Sequence, residues 1–338
     1  MASKCWPKDE TMKLDKNSFE KYFKGFFIID CVVRRRNILY IIIEEEDDEA
    51  TNTPPKEPAR TRVIAAIDLP NVQPWGYSNL TGMQRLVGGA SSVPKEQFVG
   101  VSLNFHVYAL GSGDDQLEKD LCGGPDEEGN LVGMRGALSK LRTIEGSLWL
   151  AGSGRTIGQR LGTDFWAWHD AIPHKSLLDD GGFRDIDGFS GHDIYAVGGH
   201  GDIWHYDGKA WKQIAFPSNM SLKTVCCAGD GYVYIGAQQG TVFKGRNNEW
   251  KCIYQGEMAL AFKDMVWHDN MVWCTSDYGL WSIENDKLIE ADVPQNVYAC
   301  SGNLSVGDGV MLLAGLHGAV LHDGAGWHTI IDFVNFSD

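Results

Sequence analysis

The C-terminal part of the chain repeats one short pattern four times at a fixed period. Each copy carries a central glycine, and the steps between Gly201, Gly240, Gly279 and Gly318 are all 39 residues. A fixed period near 40 residues is typical of repeat architectures, in which each repeat is one structural unit. This repeat therefore constrains the fold of the chain more than its composition does.

Each copy alternates apolar and polar residues on both sides of its glycine, which predicts β-strands. The glycine stands where two strands reverse, and a tight hairpin often needs a positive φ there. A second turn follows, and its residues suit type I′ turns: Asp207-Gly208, Asn247-Asn248, Asn285-Asp286 and Asp323-Gly324. With a strand after this turn and another apolar run before each copy, the pattern predicts four strands per repeat. That is one blade of a β-propeller.

The N-terminal half is less regular. Apolar runs at 26–33, 38–43 and 62–69 and a strand near Trp75 predict a first blade. Apart from the strand near Trp75, the segment 71–97 is predicted to be a connection, and a second blade is predicted to begin at Phe98. Its VYALGSG (107–113) matches LWLAGSG (148–154) in the third blade, which spans 136–172.

We therefore predict an all-β fold with a single propeller of seven four-stranded blades, with six or eight blades left open. A stacked solenoid of the same period is the alternative. The predicted domain organisation is a flexible segment at 1–17 and a propeller at 18–338, with an acidic loop insertion at 44–61. The sequence leaves the closure of the ring undecided.

The first copy resembles a degenerate bacterial β-propeller repeat of the WD40, kelch or sialidase-like kind. The resemblance rests on SGHDIYAVG at 190–198, on HYDG at 205–208 and on Trp211. It implies a propeller but no particular activity, because the function of a propeller depends on sites added to the fold.

The net charge of −15, from 30 basic and 45 acidic residues, limits the classes of partner. A surface of this sign repels phosphate backbones and disfavours direct nucleic-acid binding, whereas it attracts a basic protein. We find no apolar run long enough to cross a membrane and no signal peptide at the N-terminus, so we expect a cytoplasmic protein. The eight cysteines include no CxxC pair and no zinc-type spacing.

No catalytic motif stands out, so we expect no enzyme, no catalytic residues, no metal and no cofactor. The hairpin tips beside the repeat glycines vary and carry large polar groups, which is typical of loops that carry recognition. We expect the partner-binding residues to be these tips and the acidic loop, namely His200, Gln239, Asp277, Tyr278, His317, Glu44, Glu45, Glu46, Asp47 and Asp48.

Three classes of function remain open. The preferred class is a protein-binding module. Within it, an acidic protein with degenerate propeller repeats is similar to the immunity proteins encoded beside toxins of contact-dependent or type VI secretion systems. The resemblance implies that the chain neutralises a cognate toxin, such as a basic nuclease, by occlusion. The alternatives are a propeller enzyme acting on a carbohydrate or ester, and a carbohydrate-binding lectin.

Overall fold

A computed structural model describes residues 14–46, 59–176 and 181–336. Its strands form seven four-stranded antiparallel sheets, each built from one continuous segment in the order in which its strands occur in the chain. The predicted seven-bladed all-β propeller is therefore confirmed.

The first three blades come from the less regular half of the chain. Blade 1 contains β1 (Phe26–Arg35), β2 (Ile38–Glu45), β3 (Arg60–Ile67) and β4 (Trp75–Thr81). Blade 2 contains β5 (Val87–Ser91), β6 (Gln97–Val101), β7 (Val107–Gly111) and β8 (Asp114–Glu118). A two-stranded ribbon follows, made of β9 (Gly123–Pro125) and β10 (Leu131–Gly133). Blade 3 contains β11 (Leu138–Ile144), β12 (Ser147–Gly152), β13 (Thr156–Gly162) and β14 (Phe165–Trp168).

The last four blades are the four copies of the repeat. Blade 4 contains β15 (Phe183–Ser190), β16 (Asp193–Gly198), β17 (Asp202–Tyr206) and β18 (Trp211–Ile214). Blade 5 contains β19 (Leu222–Cys227), β20 (Val233–Ala237), β21 (Val242–Arg246) and β22 (Glu249–Tyr254). Blade 6 contains β23 (Asp264–His268), β24 (Met271–Ser276), β25 (Gly279–Glu284) and β26 (Lys287–Glu290). Blade 7 contains β27 (Gly302–Gly307), β28 (Val310–Gly315), β29 (Gly318–His322) and β30 (Trp327–Asp332).

The structure corrects the strands that the sequence assigned to blade 2. Its first strand, β5, lies inside the segment predicted to be a connection, because the sequence VGGAS carries too little apolar patterning to indicate a strand. The match between VYALGSG and LWLAGSG is out of phase. The former is the third strand of blade 2, whereas the latter is the second strand of blade 3.

The turns follow the predicted chemistry in part. Gly201, Gly240 and Gly318 adopt φ values of 66°, 72° and 143°, as expected for hairpin glycines. Gly279 does not adopt a positive φ; it pairs with Ser276 across the two-residue turn of blade 6.

The second turn of each repeat is type I′ only in blade 6, where Asn285 and Asp286 both have positive φ in a two-residue loop. In blade 5 only Asn247 of the predicted pair has a positive φ. In blades 4 and 7 the loops are longer, and the side chain of their first residue, Asp207 or Asp323, accepts hydrogen bonds from backbone N–H groups within the loop. The type I′ prediction was therefore wrong for those three blades.

The ring closes between blades 1 and 7 without a shared sheet. Val33 N donates to Ser305 Oγ over 2.9 Å, and the buried faces of the two blades form one apolar cluster. The helix α1 (Lys16–Tyr22), capped by Asp15, adds to the same cluster. Phe19 of this helix stacks on Phe336 near the C-terminus with ring centroids 4.9 Å apart. Packing, rather than strand exchange, therefore closes the ring.

Apolar clusters between neighbouring blades form the core of the ring. A blade exposes a hydrophobic face that only the next blade can cover. Trp211, Trp250 and Trp327 pack at the margins of three of these clusters. The tryptophans of the repeat therefore stabilise the contacts between blades.

A second helix, α2 (Gln295–Tyr298), lies in the connection between blades 6 and 7. Within the described residues, neither helix is long and apolar enough to span a membrane.

Candidate functional site

One face of the ring carries the hairpins between the second and third strands together with the connections between blades. We call it the hairpin face. Backbone contacts tie the two kinds of loop together. Leu222 N donates to Gly199 O over 3.0 Å, and Met258 N donates to Gln239 O over 3.0 Å. Phe333 N donates to His317 O over 3.0 Å. These hydrogen bonds therefore fix the hairpins of this face to the chain segments beside them.

The predicted hairpin tips all lie on this face and are exposed. His200, Gln239, Asp277, Tyr278 and His317 belong to blades 4 to 7. Tyr278 is 75% exposed although its side chain is large and partly apolar. Large aromatic residues of this kind are enriched in protein interfaces, where they contribute much of the binding energy.

Contacts at two of these tips fix the local geometry. Asp277 Oδ1 accepts from Lys263 Nζ at 2.9 Å, which ties the tip of blade 6 to the start of its innermost strand. The Tyr278 carbonyl accepts from the Tyr298 hydroxyl at 3.1 Å. The backbone of this hairpin is thus held from two sides, while the Tyr278 side chain stays in solvent.

The sequence analysis missed Leu316, which lies beside His317 and is 63% exposed. The signal was available, because an apolar residue in a two-residue hairpin tip has no part in the core.

The described part of the acidic loop also belongs to the hairpin face, because Glu44 and Glu45 end β2 of blade 1 and Glu46 follows them. Glu45 accepts from Arg60 Nε at 3.1 Å, and this hydrogen bond lowers the pKa of Glu45. Glu44 Oε2 accepts from the backbone N–H of Arg85 at 2.8 Å. Glu46 is exposed. Asp47 and Asp48 lie outside the described residues.

The predicted residues therefore share a face but do not form one cluster. The tips occupy blades 4 to 7 and the glutamates occupy blade 1, which neighbours blade 7 in the closed ring. Together they define an arc of five consecutive blades. An arc of this kind suits a broad contact with a macromolecule better than a pocket for a small substrate.

The seven innermost strands, which the sequence analysis did not connect with one another, line a central channel. A buried ionic network crosses it between blades 3, 4 and 6. Lys140 Nζ lies 2.7 Å from Asp264 Oδ2. Arg142 Nη2 lies 3.1 Å from both carboxylate oxygens of Asp185 and 3.2 Å from Asp264 Oδ1. The two carboxylates are almost fully buried.

The cations of the network act on the pKa of Asp264 and oppose the effect of its burial. Burial alone would raise the pKa of Asp264, but Lys140 and Arg142 outweigh burial and hold this pKa below its ordinary value. Asp185 Oδ2 also accepts from Thr224 Oγ1 at 2.7 Å and from Val225 N at 3.0 Å. These carboxylates are saturated with donors, so the network is a structural link between blades.

The network separates two cavities in the channel. The cavity on the far side from the hairpin face has a volume of about 230 Å³, and its lining includes Asp187 and Cys227. Burial raises the pKa of Asp187 to about 6. The cavity at the hairpin face is larger, about 480 Å³, and we call it the channel mouth.

Metal ligands are sparse within the described segments. No three His, Cys, Asp or Glu side chains there are grouped so that they could hold a metal ion. The seven cysteines of these segments are free thiols.

Comparison with known proteins places the fold and then the family. The chain is similar to the crystal structure of the WD40 β-propeller domain of Doa1. The TM-score is 0.57 at 12% sequence identity, and the match covers 88% of this chain and 97% of that chain. At this identity the likeness shows the fold alone, a WD40-like β-propeller. No family model matches the chain.

A sequence relative is more specific. The chain is 32% identical over 239 residues to the immune protein Tsi7 of Pseudomonas aeruginosa, and the match covers 70% of this chain and 76% of the relative. The chain belongs to the family of this immune protein. The prediction of an immunity protein built on a degenerate propeller repeat is therefore confirmed.

Proposed function

We propose that the chain binds a cognate bacterial toxin through its hairpin face and neutralises it by covering the toxin's active site, without catalysing a reaction itself. The observation that carries the proposal is the 32% identity to the immune protein Tsi7. A toxin is the partner that an immunity protein requires. Occlusion needs only a broad complementary surface, which the arc of exposed tips offers.

We further propose that the toxin is basic, such as a nuclease of a type VI secretion system. The net charge of −15 would speed its association with such a partner by electrostatic steering. The glutamates at the end of β2 would add attraction at one end of the arc. The free thiols of the described cysteines fit a reducing compartment, which supports action in the cytoplasm.

A growth assay tests the proposal. Bacterial cells that express the toxin encoded beside this chain should grow only when the chain is co-expressed. The triple variant His200→Ala, Tyr278→Ala, His317→Ala should protect less well, because three exposed tips of the face are truncated.

The matched control removes a histidine and a tyrosine from the opposite face. His192 and Tyr232 are exposed and lie in the turns between the first two strands of blades 4 and 5. The variant His192→Ala, Tyr232→Ala should protect as well as the wild type. Full protection by the triple variant would overturn the assignment of the face, and no protection by the wild type would overturn the proposed function for that toxin.

A further inference from the structure

We infer that the channel mouth binds carboxylate groups of the toxin, so that an acidic segment of the toxin inserts into the centre of the hairpin face. This inference rests on the proposed function. It adds a requirement on the toxin. The toxin surface that is basic where it meets the glutamates must also carry an acidic protrusion opposite the channel.

The channel mouth is large and cationic although the chain is strongly acidic. Its volume of about 480 Å³ lies in the range of protein pockets that hold small ligands or groups of side chains. Five basic residues line it, and only three acidic residues do. The basic residues come from the starts of innermost strands or from the segments just before them: Arg85, Lys140, Arg184, Lys223 and Lys263.

The three carboxylates of the mouth already have partners. Asp185 accepts from Arg142 and Thr224 in the buried network. Asp30 accepts from the backbone N–H groups of Gly88 and Cys31 over 2.9 and 2.8 Å. Glu44 accepts from the backbone N–H of Arg85. These carboxylates neutralise few of the side-chain cations around the cavity.

Two of the cations have no anionic partner among the residues that the structure describes. These are the ammonium group of Lys223, which is half-buried, and the guanidinium of Arg85, which is exposed. Both remain open to a ligand that enters from the hairpin face. Carboxylates are the acceptors that match such donors with charge-assisted hydrogen bonds.

The position of the channel mouth on the hairpin face favours a carboxylate of the toxin as its ligand. It lies at the centre of the ring on the face that carries Tyr278 and Leu316, so a protein docked on these tips covers it. Covering unpaired cations removes their hydration, which is unfavourable unless the partner supplies opposite charge. A toxin that occupies the hairpin face therefore gains affinity by presenting carboxylates to the channel mouth.

The experiment measures affinity for the toxin by isothermal titration calorimetry with the full chain. The test variants are Lys223→Glu alone and Lys223→Glu with Arg85→Glu. The control variant is Lys209→Glu with Lys287→Glu, which makes the same charge change as the double test variant at exposed positions in or beside turns of the opposite face. Circular dichroism and thermal unfolding of every variant establish that it is folded.

We expect Lys223→Glu to weaken binding by at least about tenfold and the double variant to weaken it further, since close charge pairs in interfaces are worth this much or more. The control variant should stay within about twofold of the wild type. The acidic residues of the toxin are then replaced by lysine one at a time. The substitution at the residue that enters the mouth should restore binding to the Lys223→Glu variant.

Equal toxin affinity for the wild type and a folded Lys223→Glu variant would overturn the inference while leaving the proposed function intact. Weaker binding that no acidic-to-lysine substitution in the toxin restores would overturn the assignment of a carboxylate. If the wild type itself does not bind the toxin, the proposed function fails and the inference fails with it.

Discussion

At the scale of single residues, the sequence could have indicated that charged side chains line the channel. It could not indicate which of these side chains pair with one another. Lys140 with Arg142 and Asp185 with Asp187 stand two apart in their strands, which places the two charges of each pair on the same face of the strand. That spacing could have marked the channel. It could not pair Arg142 with Asp264, because 122 residues separate them in the chain.

The buried network predicts a large effect from one carboxylate. Asp185→Ala should lower the free energy of unfolding by about 3–5 kcal/mol, because it leaves the Arg142 guanidinium buried with half of its partners lost. Urea denaturation followed by tryptophan fluorescence measures the change. The exposed Asp292 supplies the control, and Asp292→Ala should stay within about 0.5 kcal/mol of the wild type. Equal stability of the two variants would refute the structural role of the network.

Asp187 predicts a pH dependence of stability with a definite sign. Burial raises its pKa in the folded state from 3.8 to about 6. Below about pH 4 this group is protonated in both states and has no effect. As the pH rises from about 4 through 6, the folded state loses stability, by about 1–3 kcal/mol in total, because it must then hold a half-buried carboxylate.

The variant Asp187→Asn isolates this effect. Its free energy of unfolding, minus that of the wild type, should rise between pH 4 and pH 7 and then level off. Urea titrations at several pH values measure this difference. A difference independent of pH would show that Asp187 titrates with an ordinary pKa.

At the scale of strands and turns, the sequence predicted most where the repeat is well phased. Blades 4 to 7 fall where the 39-residue period puts them, and blade 1 follows from its long apolar runs. The strand assignment of blade 2 was wrong because β5 is glycine-rich and because two similar sequences belong to different strands of blades 2 and 3. A strand's place in its blade depends on its neighbours in space, which short local matches do not contain.

The hairpin glycine of blade 4 predicts an effect that depends on space as well as on φ. Gly201 and Gly324 have φ values of 66° and 86°, so both substitutions by alanine are strained. A Cβ at Gly201 would lie 2.1 Å from Ser218 O, whereas one at Gly324 would meet nothing within 4 Å.

Gly201→Ala should therefore destabilise the fold by about 2 kcal/mol or more, and Gly324→Ala by about 1 kcal/mol. Chemical denaturation of the two variants side by side measures the difference. Equal losses would mean that the contact between Gly201 and the connection to blade 5 relaxes freely.

At the scale of the whole molecule, the ring explains why an acidic chain without a catalytic motif suits binding. Each blade covers its neighbour's apolar face, so the loops of the hairpin face are free to vary around a fixed scaffold. The sequence predicted the tips on this face because the glycines mark them. It did not predict the cationic channel mouth, because closure of the ring assembles that cavity from residues of all seven blades.

Isothermal titration calorimetry at low and high salt measures whether the hairpin face binds a basic toxin. We predict that the wild type binds the toxin encoded beside it and that binding weakens at high salt, since exposed charges are screened. The variant His200→Ala, Tyr278→Ala, His317→Ala should lose at least about tenfold in affinity, while His192→Ala, Tyr232→Ala on the opposite face should lose little. The reverse order of the two variants, or no binding by the wild type at either salt concentration, would show that the hairpin face does not bind the toxin.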